Sequence, residues 1–218
     1  MTYDEFIESF NTKFYAATTV ESLGWEESEI CSFLNSAQMQ LLKRLSSAEA
    51  FADIPELIVK IEGNEFDEDS SNAIVTSNAI VTIKKPDDYY DFIAGSAAFT
   101  RVYDSINERV KEQVIAPLSP VSLDTIHLFM ASDENRTLFL TPKLTIKEDE
   151  KFLIVLDSYT DKDESVEVII YYLKFPKKFD STEPPQITDI GGKWHDDIVN
   201  LAVGIAVNTM IKGPQTSQ

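Results

Sequence analysis

His195 and Asp196 stand side by side in the sequence, an imidazole next to a carboxylate, and His127 is the chain's other histidine. On a helix such a pair can ligate a divalent metal, and a second imidazole would complete a site for hydrolysing a phosphoester. That defines one reading, a metal-dependent hydrolase built on His127, His195 and Asp196. Cys31 is the single cysteine. It falls beside an apolar helical stripe with no local cation to lower its pKa, which favours a packed thiol over a nucleophile. Asp67-Glu68-Asp69 begins like a calcium loop, but Asn72 stands where the sharp turn needs glycine and Asn78 where a bidentate glutamate is required. Asp161-Lys162-Asp163 fails the same way, with Val166 at the turn. No serine lies in a Gly-x-Ser-x-Gly elbow, and 7 glycines leave little material for a phosphate-cradling loop. From the residues we expect no catalytic residue, no cofactor and no metal site.

The elements that would have to position these groups argue the same way. The metal-dependent phosphohydrolases named for an adjacent His-Asp ligand pair are helical throughout, whereas most of 92–175 reads as strand. Asp196 and Asp197 are also accounted for as first-turn acids facing the positive end of a helix. Tyr171-Tyr172-Leu173-Lys174-Phe175-Pro176-Lys177-Lys178 is the one run that mixes aromatics with lysines, and it reads as a core strand followed by a lysine-bearing edge rather than a base-stacking platform. The whole chain carries 37 acidic against 19 basic side chains, a formal charge of −18. Such a chain repels polyanions, which disfavours sequence-specific nucleic-acid binding; the same charge also keeps an abundant protein soluble. A lone cysteine cannot form an internal disulfide and suits a reducing cytoplasm. The N-terminal residues lack the basic-then-apolar run of a secretory signal, and no apolar stretch reaches the roughly 18 residues needed to span a bilayer, so neither export nor membrane insertion is expected.

The fold class expected is α+β: an N-terminal helical hairpin and a C-terminal helix packed with a mainly antiparallel, β-rich middle, in one compact domain. The regions are 1–50, 51–180 and 181–218. Thr2 with Glu5 fits a capping box at the start of the first helix, whose apolar face is Tyr3, Phe6, Ile7, Phe10 and Phe14. Ile30, Phe33, Leu34, Ala37, Leu41 and Leu45 define a second stripe. Strands are expected near 57–61, 92–103, 110–118, 138–140, 152–156 and 166–175, with a short helix over 122–130 capped by Ser122. The last helix runs about 193–210 with Ile198, Leu201, Ala202 and Ile205 inward, and Gly204 and the alanines allow a close helix approach. Residues 62–72 read as an acidic solvated loop. After it, Ser71-Asn72-Ala73-Ile74-Val75-Thr76 recurs at once as Ser77-Asn78-Ala79-Ile80-Val81-Thr82, an insertion in a strand or surface loop, or an arm reaching a neighbouring chain.

Several segments carry a resemblance. Residues 166–180, with Ile170-Tyr171-Tyr172-Leu173-Lys174-Phe175-Pro176 and then Phe179-Asp180, are followed by Trp194-His195-Asp196-Asp197-Ile198-Val199-Asn200-Leu201-Ala202-Val203. Upstream stand Val114-Ile115-Ala116-Pro117-Leu118-Ser119-Pro120-Val121-Ser122-Leu123-Asp124, Pro142-Lys143 and the helical Phe33-Leu34-Asn35-Ser36-Ala37-Gln38. In order and pattern these resemble head-to-tail connector (ring or adaptor) proteins of crAss-like podophages that infect Bacteroidetes. The resemblance implies a virion structural protein assembled in the host cytoplasm. It would be one subunit of a homo-oligomeric ring, a dodecamer, bound to the portal and to neighbouring ring or tail proteins. Genomic DNA would pass through the lumen during ejection, with no membrane involved and no catalytic residues. The acidic 62–72 loop and the duplication depart from the pattern. The competing reading from charge alone is an acidic host-targeting binding protein that mimics nucleic acid.

Overall fold

Local chemistry sets the helix starts in the computed structural model, which describes residues 1–18, 24–64, 75–77, 80–105, 108–126, 141–147, 151–156, 160–161, 164–182 and 184–212. The Glu5 amide donates to the Thr2 hydroxyl at 3.3 Å and the Thr2 amide to the Glu5 carboxylate at 2.8 Å, so the expected capping box opens α1, Tyr3–Thr18. The Glu26 amide donates to the Glu29 carboxylate at 2.9 Å at the start of α2, Glu27–Ser47. A 3-10 turn at Gly192–Trp194 leads into α3, His195–Lys212, with Asp196 and Asp197 in its first turn. The fold is α+β, with helices at both ends and a mainly antiparallel β middle.

By contacts the chain divides into two units. The first is Met1–Ile58 with Phe175–Gln218, and the second is Val59–Lys174. In the first unit α3 lies against both α1 and α2, which approach each other far less. From α1 only Phe6, Phe10 and Phe14 are buried, a ridge spaced by four, while Tyr3 and Ile7 at its margin are half-buried. The α2 stripe comes inward as expected, except that Phe33 is half-buried and Cys31, Gln38 and Leu42 are buried too. The inward face of α3 differs from expectation: Ile198, Val199, Ala202, Val203 and Ala206 are buried, and Leu201 and Ile205 only half so. A helix that serves two partners needs a face turned between them, which a single amphipathic stripe does not reveal.

Gly204 corrects a second expectation. It is exposed, and a Cβ built there meets nothing within 4 Å, so Ala202 and Ala206 supply the close approach. Glycine inside a helix loses more backbone freedom on folding than alanine does. Gly204→Ala is therefore expected to stabilise the chain by about 0.5–1 kcal/mol. The urea midpoint should rise at constant slope, and a fall would show that the position is in fact crowded.

Among its described residues the second unit holds nine strands: β1 Ile58–Asn64, β2 Val75–Ser77, β3 Ile80–Lys84, β4 Tyr89–Ser105, β5 Glu108–Pro117, β6 Ser119–Pro120, β7 Lys143–Lys147, β8 Lys151–Val155 and β9 Glu167–Lys174. One sheet has the order β1-β9-β4-β5 and the other β2-β3-β8-β7-β6. Their inner faces share a core, with Ala97, Phe99, Val168 and Ile170 from the first meeting Val81, Ile83, Phe152 and Ile154 from the second. Period-two alternation makes this possible. Gly95, in regular register just past the second irregularity of β4, is required by close approach: a Cβ there would lie 2.8 Å from the Ile169 carbonyl oxygen and from the Leu118 side chain.

Strand β8 is buried on both faces, since Leu153 and Val155 turn away from the shared core to pack on Ile126, with Val121 and Ile80 against them. Ile126 is held by a helical turn at 123–126, where the Ser122 hydroxyl accepts from the Thr125 amide at 3.3 Å. The expected remainder of that helix, and the expected strand at 138–140, lie outside the described residues. Of the duplication, residues 75–77 and 80–82 are described, and these are strand. Val75 and Thr76 of the first copy, with Ser77 of the second, pair antiparallel with Thr82, Val81 and Ile80, so the end of the first copy adds an edge to the sheet that the second copy builds. Strand β7 was not expected, because Lys143-Leu144-Thr145-Ile146-Lys147 offers only two apolar residues between prolines and acids.

Candidate functional site

His195 opens α3 and is 9% exposed. Its Nε2 donates to the Ile190 carbonyl at 3.0 Å, its Nδ1 lies 3.0 Å from the Met1 amino nitrogen, and its ring packs 4.8 Å from Phe6. Both ring nitrogens are thus occupied by the fold. Asp196 faces the other way: it is exposed and accepts from Lys13 Nζ at 3.2 Å. His127 lies outside the described residues, and among those described no three His, Cys, Asp or Glu side chains could together hold a metal ion. Cys31 is buried with its Sγ 3.4 Å from the Tyr3 hydroxyl, and burial pushes its thiol up, which keeps it protonated at neutral pH. Of the two calcium-like runs, Asp67-Glu68-Asp69 is outside the described residues. In the other, Asp161 accepts from Lys111 Nζ at 2.9 Å and Val166 is buried in the core.

The first unit contains a junction that sequence reasoning missed. Asn35 of α2 pairs its side-chain amide with the backbone of Phe179: its Nδ2 donates to the Phe179 carbonyl at 2.9 Å and its Oδ1 accepts the Phe179 amide at 2.8 Å. Gln38, one turn later and buried, donates through Nε2 both to Asn35 Oδ1 at 3.0 Å and to the Lys177 carbonyl at 3.1 Å. The Phe179 ring stands edge-on to Phe6 at 4.8 Å. Asn35 and Gln38 thus hold the backbone at 177–179, while Phe179 and His195, far apart in the chain, both pack on the Phe6 ring. The signal in the sequence was two amides spaced by three on an apolar stripe.

Two open grooves flank α2. One, about 470 Å³, is lined by Tyr3, Asp4, Glu8, Tyr15 and Glu27 among others, with no basic side chain. The second, about 560 Å³, includes Cys31, Asn35, Lys178 and Asp180 in its lining. In the second unit the paired strands β4 and β5 run on past β9, whose last partner on β4 is Ala98. The base of this extension is clasped: Lys111 Nζ donates to Glu164 at 2.6 Å, the Thr100 hydroxyl donates to Glu164 at 2.6 Å, and the Asp161 amide donates to the Thr100 carbonyl at 2.7 Å. The hydrogen bond from Lys111, then that from Thr100, hold the Glu164 carboxyl below the usual carboxylate range.

These shifts fix the sign of an acid response. Burial lowers the His195 pKa, so the unfolded chain takes up a proton first; the stability tied to neutral His195 is complete above the ordinary imidazole value of about 6.5 and is lost as pH falls through that value toward the folded one. Glu164 contributes above the ordinary carboxylate pKa of about 4.3 and is lost as pH falls through its lower folded value. We expect the urea midpoint to fall between pH ~7.5 and pH ~5.5, and His195→Asn to flatten that part of the profile. A wild-type midpoint that stays level over this interval would rule out the assignment.

The folding pattern defines a two-unit α+β protein with no helix, among the described residues, long and apolar enough to cross a membrane. No protein-family model matches the chain, and no curated protein matches it.

Proposed function

We propose that this chain is a structural subunit of a phage head-to-tail connector ring, set between portal and tail, through which genomic DNA passes. The charge balance carries the reading: 37 acids against 19 bases, with Asp4, Glu5 and Glu8 on α1 and Glu26, Glu27 and Glu29 around the start of α2 all exposed. Repeated around a closed ring, such a surface offers phosphates nothing to adhere to, so DNA slides. The junction at Phe179 adds support, because segments 33–38 and 166–180, both part of the resemblance to crAss-like connectors, meet there. A particle reconstruction is the test. The expected result is a ring below the portal with carboxylates on its lumen, and a lumen dominated by lysine would overturn the reading. A nucleic-acid mimic would instead act as a monomer and compete with DNA for a basic partner. A metal-dependent hydrolase would lose turnover in His195→Ala while keeping its assembly.

A further inference from the structure

We draw no further inference here: the strongest candidate, the outer face of the β9-β4-β5 sheet, where Ile169, Tyr171 and Ile115 flank the small side chains of Ala94, Ser96 and Ala98 and Ile115 is 79% exposed, carries nothing because nothing in the structure shows what covers it.

Discussion

Replacing Phe6 by alanine should cost the first unit about 3–5 kcal/mol. Phe6 is fully buried, its ring 4.8 Å from both Phe179 and His195, so one side chain ties α1 to the segment after β9 and to the start of α3. Those neighbours belong to different elements and cannot all move in to fill the void. Both tryptophans lie in this unit, Trp25 packed on Phe14 and Phe33 and Trp194 donating its indole N–H to the Asp53 carbonyl, so tryptophan emission during urea unfolding reports on it directly. Phe6→Leu, which keeps most of the volume, should lose less than about 1.5 kcal/mol. If Phe6→Ala shifts the free energy by under about 1 kcal/mol, the junction is not packed as described.

The second large effect belongs to Asn35. Its amide satisfies the Phe179 N–H and C=O and takes a bond from buried Gln38. Asn35→Ala removes all three at once and leaves the N–H and C=O of buried Phe179 without their partner, for an expected loss of about 1–3 kcal/mol. Asn35→Asp is the sharper test. The carboxylate keeps the acceptor side but sets an oxygen against the Phe179 carbonyl, which has no hydrogen to share. A loss close to that of alanine, in spite of near-identical shape, would identify the donated bond as the element that matters. A neutral result for both variants would mean that water replaces Asn35 without cost.

How far the residues spoke for themselves differs by element. The capping box at Thr2 and Glu5, the α2 stripe and the acids at the start of α3 were legible because each depends on neighbours three or four positions away. The core strands 92–103, 152–156 and 166–175 were legible from apolar runs, and lie within or overlap β4, β8 and β9. Strand β7 was not, since two apolar residues between lysines make a strand only when β8 presents a partner on one side and β6 on the other. The inward face of α3 was misjudged for a related reason. Gly204 looks like a helix-packing residue by type, and only the placement of α1 and α2 shows that it points at open space. At the candidate site, His195 and Asp196 are adjacent in sequence but face different surroundings, one buried on the Ile190 carbonyl and the other exposed to Lys13.

What the sequence alone determined was therefore everything governed by short range: charge, helix starts, stripes, and which runs alternate. What only the tertiary structure decided was pairing: residues 75–77 of the duplication folding onto 80–82, β8 set between β3 and β7, and Asn35 with Gln38 holding the chain beyond β9. The physical reason is that hydrogen bonds and charge contacts between distant segments depend on register and on which faces meet. Those are set by burying the core as a whole, and no local pattern encodes them.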